Sequence, residues 1–192
     1  MKRNLILAGV GGQGLLALAA VIGEAARSSG LHVKQAEVHG MAQRGGVVQS
    51  HLRYADRPVH SPLISPGTAD LVLALEPMEA LRYLPFLATK GAVIANTSPF
   101  VNIPNYPDET AIRAEIEALD RAHLVDALAL AREAGALQAA NMVMLGAGSL
   151  HLALEEAALM EAIRTFFAGK SEAVIETNLE AYQLGAAAVT AD

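Results

Sequence analysis

The sequence predicts an α/β fold: a doubly wound, mostly parallel open sheet with a helical C-terminal layer. Three observations predict this class. Short apolar segments alternate with helical segments from residue 5 to about residue 126, an order typical of parallel sheets. The first apolar segment shows no alternation of apolar and polar residues, as a strand buried on both faces requires. From residue 138 onward the pattern is almost entirely helical.

We expect one domain spanning residues 1–192, because a chain of this length is ordinary for a single folded unit with an ample core. The sheet part is expected in about residues 1–126 and the helical part in about 127–192. The apolar segments predict strands at residues 5–8, 31–38, 47–54, 70–75, 92–95 and 124–125.

The third predicted strand differs from the others because apolar and polar residues alternate along it. Gln49, His51 and Arg53 share one face, and the residues between them share the other. A strand with one polar face lies either at a sheet edge or beside a site.

The helices are predicted from apolar periodicity and from their end signals. Pro77 suits a first helical turn, Asp108 suits an N-cap, and Gly135 suits a helix end. Residues 56–67 and 99–107 are rich in proline and are expected to be irregular. The predicted helices cover residues 15–26, 77–83, 108–119, 126–134, 138–153, 155–168 and 172–189.

Composition excludes several kinds of chemistry. The chain has no cysteine, so it holds no disulfide, no thiol-ligated iron–sulfur cluster, no zinc–thiolate site and no cysteine nucleophile. Its 14 Lys+Arg against 20 Asp+Glu give a net charge of −6, which argues against a nucleic-acid surface. Since we find no uncharged apolar stretch of about 20 residues, we expect no membrane span and a cytoplasmic protein.

A glycine-rich loop follows the first strand and opens the first helix. Its G-x-G-x-x-G pattern lets a phosphate approach the helix N-terminus, where free N–H groups and the helix dipole favour an anion. Glu37 lies 23 residues past the last glycine, where dinucleotide-binding proteins place an acid that bonds a ribose hydroxyl. Close packing of helix on strand without a ligand explains the pattern equally well. The candidate ligand-binding residues are Gly9, Gly11, Gly12, Gln13 and Gly14.

A second glycine-rich loop contains Arg44, Gly45 and Gly46, and we predict that these three residues also bind a cofactor or another anion. Successive glycines can present N–H groups, and arginine can grip a carboxylate or phosphate with two bonds. Together with His39, His51 and Arg53, Arg44 forms a basic cluster within 15 positions of an acidic chain. The alternative is an exposed loop with a solvated arginine.

We predict no catalytic residue and no metal site on this chain. The six histidines lack metal-ligand spacing. Ser50 and His51 are neighbours on a strand, so they point to opposite faces and cannot act as nucleophile and base. Asn141 lies early in an apolar helix and is expected to bond a loop or a ligand. Gly146 and Gly148 would allow close packing on another helix.

These motifs together resemble a known family. The runs G-V-G-G-Q-G at 9–14, E-V-H-G-M-A-Q-R-G-G at 37–46 and S-H-L-R at 50–53 look like the gamma-type subunit or domain of 2-oxoacid:ferredoxin oxidoreductases. The G-M-A-Q-R-G-G run is most similar to the small (beta) subunit of indolepyruvate:ferredoxin oxidoreductases. The segments L-E-P-M-E-A at 75–80, N-M-V-M-L-G at 141–146 and N-L-E-A-Y at 178–182 fit the same family.

The resemblance implies a subunit of an enzyme that oxidatively decarboxylates an aryl pyruvate, uses coenzyme A and passes electrons to ferredoxin. Thiamine diphosphate and the 4Fe-4S clusters would lie on a large partner subunit, in keeping with the missing cysteines. No cofactor is assigned firmly to this chain, and coenzyme A is a candidate at the interface. We expect the isolated chain to be inert, with homo-oligomer formation open.

Three alternatives stay open. The chain could be a gamma subunit that acts on pyruvate or another 2-oxoacid. It could be a free-standing NAD-dependent enzyme, as the glycine loop and Glu37 suggest, although an evident pair for hydride chemistry is missing. It could also be a nucleotide-binding, Rossmann-like module without catalysis.

Overall fold

A computed structural model describes residues 1–40, 45–101 and 103–189. Within these ranges the chain forms six strands and seven α-helices. The strands are β1 (Lys2–Val10), β2 (His32–His39), β3 (Val47–Ala55), β4 (Ala69–Ala74), β5 (Leu87–Asn96) and β6 (Ala122–Val125). The helices are α1 (Leu15–Ser28), α2 (Pro77–Arg82), α3 (Glu109–Glu117), α4 (Ala127–Glu133), α5 (Ala140–Gly148), α6 (Glu156–Phe167) and α7 (Glu172–Ala188).

The six strands form one sheet in the order β2-β3-β1-β4-β5-β6. β1, β4, β5 and β6 pair in parallel, whereas β3 is antiparallel to both β1 and β2. The predicted α/β class with a mostly parallel sheet is therefore confirmed. β3 lies between β1 and β2, so its alternating pattern does not come from a position at the sheet edge. The edge strands are β2 and β6.

Both faces of the sheet are covered, which is why β1 is apolar on both sides. Leu5 and Leu7 face a core formed with α1, α4, α5, α6 and α7, and Ile6 and Ala8 face a second core formed with α2 and α3. The C-terminal helices thus share one face with α1. No helix in the described ranges is both long and apolar enough to cross a membrane.

Helix ends follow the predicted signals. Asp108 accepts a hydrogen bond from the Ala111 N–H at 2.9 Å, and Asp126 caps α4 through the Ala129 N–H in the same way. Pro77 is the first residue of α2, and Gly135 adopts a left-handed φ of 101° after α4. β5 begins at Leu87, five residues before the predicted start, because Leu87 still pairs with Ala69 of β4 across an irregularity in register.

The crossing of α5 and α7 depends on two glycines. A Cβ at Gly146 would lie 1.9 Å from the Tyr182 carbonyl oxygen, and a Cβ at Gly185 would lie 1.9 Å from the Val143 carbonyl oxygen. The two helix backbones are therefore in direct contact, as predicted for Gly146. Gly148 instead faces the sheet, where its Cβ would lie 3.3 Å from Leu73.

Candidate functional site

The carboxyl ends of the parallel strands meet at one edge of the sheet, which we call the carboxyl edge. The glycine loop follows β1 there, and the hairpin of β2 and β3 turns at the same edge. A cavity of about 260 Å³, the edge cavity, opens beside these loops. Ligands of open α/β sheets bind at this edge. The edge cavity is lined by residues that include Gly12, Gln13, Leu75, Asn96, Phe100, Ala127 and Asn141.

The Gln13 side chain closes the glycine loop from inside. Its Oε1 accepts a hydrogen bond from the Val10 N–H at 2.9 Å, and its Nε2 donates to the Leu75 carbonyl oxygen at 3.0 Å. The amide therefore joins the ends of β1 and β4. These bonds within the protein define the shape of the loop.

The two glycine-rich loops are joined through their backbones. The Gly11 N–H donates to the Gly46 carbonyl oxygen at 2.8 Å, and the Gly45 N–H donates to the Gly11 carbonyl oxygen at 3.2 Å. This pairing brings the two predicted ligand-binding segments together. Arg44 lies outside the described residues, so the structure does not place its guanidinium.

Asn141 holds the start of α1 against α5. Its Nδ2 donates to the Gly14 carbonyl oxygen at 3.1 Å, and the side chain is buried. Gly14 has a φ of 82°, and a Cβ there would lie 2.6 Å from Asn141 Nδ2. Asn141 therefore bonds a loop, the glycine loop, which is one of the two partners predicted for it.

Two N–H groups of the glycine loop remain available. Within the described parts of the chain, the backbone N–H groups of Gly12 and Gly14 have no hydrogen-bond acceptor. A shallow cavity of about 330 Å³ lies over the loop and is also lined by Leu16, His39 and Val48. A helix N-terminus with unpaired N–H groups is suited to an anion.

Glu37 lies too far from the glycine loop to act as the ribose-binding acid of a dinucleotide fold. That fold places β2 beside β1, whereas here β3 lies between them. Two strand spacings separate Glu37 from β1 by roughly 10 Å. Glu37 contacts His39, and Gln35 bonds its other oxygen at 3.2 Å.

The predicted basic cluster is divided between the two faces of the sheet. His39 aligns with Val48 on the α1 face, whereas His51 and Arg53 align with Ile6 and Asn4 on the α2 face. The antiparallel register of β2 and β3 causes this division. The prediction that these residues form one basic patch is therefore wrong, because His39 lies on the opposite face from His51 and Arg53.

His51 and Arg53 anchor the proline-rich segment that follows β3. His51 Nδ1 accepts a hydrogen bond from the Ile64 N–H at 3.0 Å, and burial lowers the pKa of its imidazole. Arg53 donates to the carbonyl oxygens of Ser61 and Leu63 at 2.7 and 2.9 Å. Ser50 instead accepts from Gln35 on the opposite face, so Ser50 and His51 form no catalytic pair.

Buried carboxylates at the end of β4 were not predicted from the sequence. The exposed fractions of Glu76 and Glu79 are only 1% and 0%. Glu79 pairs with Arg82 at 3.1 Å, but burial outweighs this cation and raises the pKa of the Glu79 carboxyl. The signal was the E-P-x-E run at 76–79, because acids directly after an apolar strand lie at the carboxyl edge.

Metal ligation finds no support in the described ranges. No group of three or more histidine, aspartate or glutamate side chains there is placed to hold a metal ion.

The fold matches solved structures of 2-oxoacid oxidoreductase subunits. The gamma subunit of a keto/oxoacid ferredoxin oxidoreductase from Geobacter sulfurreducens is 24% identical, with a TM-score of 0.70 and 95% of each chain covered. The pyruvate oxidoreductase subunit PORC from Thermotoga maritima is 22% identical, with a TM-score of 0.75, over 98% of this chain and 97% of that chain. The chain thus shares its fold with these oxidoreductase subunits.

The family follows from the sequence comparison. The model for pyruvate ferredoxin/flavodoxin oxidoreductases matches residues 4–188, and the chain belongs to this family. The indolepyruvate oxidoreductase subunit IorB of Archaeoglobus fulgidus is 39% identical over 96% of this chain and 94% of its own. The IorB subunit of Methanothermobacter thermautotrophicus is 40% identical over 96% of both chains. The family resemblance drawn from the glycine-rich motifs is confirmed.

Proposed function

We propose that this chain is the small subunit of an indolepyruvate:ferredoxin oxidoreductase. The observation that carries the proposal is the full-length similarity, at 34–40% identity, to four curated subunits of indolepyruvate oxidoreductases. A 2-oxoglutarate synthase subunit, KorC of Methanothermobacter thermautotrophicus, is 30% identical over a similar length. That weaker similarity keeps a gamma subunit for another 2-oxoacid as the second candidate.

The reaction would convert an aryl pyruvate and coenzyme A into an acyl-CoA and CO2, with the electrons passed to ferredoxin. Thiamine diphosphate and iron–sulfur clusters on a large partner subunit would supply the carbanion and electron-transfer chemistry. The present chain has no cysteine to ligate a cluster. Its part would be to bind and orient a substrate at the interface.

We propose that the carboxyl edge holds the phosphates of coenzyme A. The available N–H groups of Gly12 and Gly14 and the positive end of the α1 dipole would face the anion. Gly11, Gly45 and Gly46 join the two loops, and Gly9 and Gln13 hold their shape. A Cβ at Gly9 would lie 2.9 Å from Gln13 Oε1, so a side chain there would push against the Gln13 amide that closes the loop. Arg44 would add a cation.

The same edge is the proposed contact surface for the large subunit. In the described residues, eight of the thirteen exposed large apolar side chains lie at this edge. Such clustering is typical of a protein–protein interface. The eight are Leu16, Val38, Val47, Phe100, Val101, Ile103, Leu128 and Leu137.

Reconstitution tests the proposed function. The chain, copurified with a large subunit of the same oxidoreductase family, is expected to reduce a dye acceptor with indolepyruvate and coenzyme A, and the chain alone is expected to be inert. Pyruvate and 2-oxoglutarate are the comparison substrates. Preference for either would favour the second candidate, and turnover by the isolated chain would refute the subunit role.

Coenzyme A titration of the complex tests the phosphate site. Arg44→Ala removes the cation, and Gly11→Val adds a side chain where the two loops join. Loss of a charge-assisted bond predicts an affinity for coenzyme A that is lower by roughly tenfold or more. Arg57→Ala, at the opposite edge of the sheet, is the matched control and should bind normally. Unchanged affinity and turnover in both site variants would rule out the site.

A further inference from the structure

Glu76 is a buried carboxylate on which three hydrogen-bond donors converge. Its Oε2 accepts from the Glu79 N–H at 2.9 Å, which caps α2. Its Oε1 accepts from the Phe100 N–H at 3.3 Å and from the Tyr106 hydroxyl. Both carboxylate oxygens are therefore occupied by donors within the protein.

Two of these donors belong to the segment that follows β5. Ser98, Pro99 and Phe100 form one wall of the edge cavity. The Phe100 N–H lies 24 residues and the Tyr106 hydroxyl 30 residues from Glu76 along the chain. Arg113 adds a hydrogen bond to the Thr97 carbonyl oxygen at 3.0 Å, at the start of the segment. Glu76 thus connects the end of β4 to the cavity wall.

An ionised carboxylate is the side chain that suits this position. It accepts at both oxygens, whereas a glutamine would present a donor to at least one of the three donors. Among the described residues no cation pairs with Glu76, since Arg82 is paired with Glu79. Burial, followed by the hydrogen bond to Glu76, raises the pKa of the Tyr106 hydroxyl, so this group stays a donor at neutral pH. Within the described ranges, these three hydrogen bonds are the contacts that stabilise the carboxylate.

We infer that Glu76 is a positioning residue: it holds the Ser98–Phe100 wall of the edge cavity in the conformation that binds substrate. A buried anion is costly unless all its lone pairs are satisfied. When the donors from Phe100 and Tyr106 are in place, the cost is offset and the wall is fixed. This inference rests on the proposed function for the identity of the substrate, coenzyme A, but the effect of Glu76 on the wall does not depend on it.

Hydrogen exchange of the isolated full chain tests the effect on the wall. Glu76→Gln and Tyr106→Phe are expected to speed exchange of the Phe100 amide about tenfold or more, because each removes a charge-assisted bond. Glu115→Gln, on an exposed position of α3, is the matched control and should leave that rate unchanged. Unchanged exchange of Phe100 in both variants would overturn the inference.

Kinetics of the complex test whether the fixed wall serves substrate binding. Tyr106→Phe is expected to raise the KM for coenzyme A several-fold and to leave kcat within twofold, a split that general destabilisation would not produce. Faster exchange with an unchanged KM would mean that Glu76 does not position the substrate site. If the wild-type complex does not bind coenzyme A, the proposed phosphate site is refuted. The hydrogen-exchange result would still decide whether Glu76 fixes the wall.

Discussion

Gly146→Ala provides a direct test of the α5–α7 crossing. The added Cβ would lie 1.9 Å from the Tyr182 carbonyl oxygen and 2.7 Å from the Ala186 nitrogen. Both are backbone atoms, so no side-chain rotation relieves the clash. Ordinary contact begins near 3.4 Å, so the helices must separate by about 1.5 Å, the difference from 1.9 Å.

Two opposing effects determine the sign of this change. Alanine is favoured over glycine inside a helix by about 1 kcal/mol, which would stabilise the variant. Overpacking costs about 1–3 kcal/mol where side chains can adjust and more where they cannot. We therefore expect the free energy of unfolding to fall by about 2 kcal/mol or more, and Tm to fall by about 4–8 °C.

Urea denaturation at equilibrium measures this loss. Gly169→Ala, between α6 and α7, is the control, because a Cβ there meets no atom within 4 Å, and its effect should stay within about 0.5 kcal/mol. Gly185→Ala should act like Gly146→Ala. One separation of the helices relieves both clashes, so the double variant should lose less than the sum of the two. A stabilised Gly146→Ala variant would refute the close crossing.

Two further predictions concern single buried groups. Tyr54 donates to the Leu152 carbonyl oxygen at 2.6 Å, so Tyr54→Phe should cost about 1–3 kcal/mol in urea denaturation, and a loss below about 0.5 kcal/mol would contradict that bond. Burial lowers the pKa of His51 from its usual 6.5, so the unfolded chain binds this proton at a higher pH than the folded chain does. The free energy of unfolding should therefore fall as pH drops below about 6.5. His51→Asn keeps a hydrogen-bond acceptor for Ile64 but cannot titrate, so stability measured from pH 7.5 to 5.5 should fall less; an identical decline would contradict the pKa direction.

Most of the secondary structure could be predicted from local sequence patterns. The apolar runs of β1 and β4 and the caps at Asp108 and Gly135 depend on neighbours in sequence, so their positions could be predicted. The close approach at Gly146 could also be predicted, because a glycine inside an apolar helix has few other uses. The alternation of polar and apolar residues in β3 could be seen in the sequence, but the position of β3 between β1 and β2 could not.

Contacts between distant residues could not be predicted in this way. The three donors of Glu76 come from positions up to 30 residues away, so the E-P-x-E run at 76–79 indicates the carboxyl edge but does not indicate that Glu76 is buried. The opposite directions of His39 and His51 depend on the register between β2 and β3, and one step of register exchanges the two faces.

The sequence by itself determined the α/β class, the glycine-rich loops and, through the absence of cysteine, the need for any cluster to lie on another chain. These follow from local geometry and from composition. Only the tertiary structure decided the insertion of β3 between β1 and β2, the separation of Glu37 from the glycine loop and the burial of Glu76. Strand order and burial arise from pairing between segments far apart in the chain, which local periodicity does not specify.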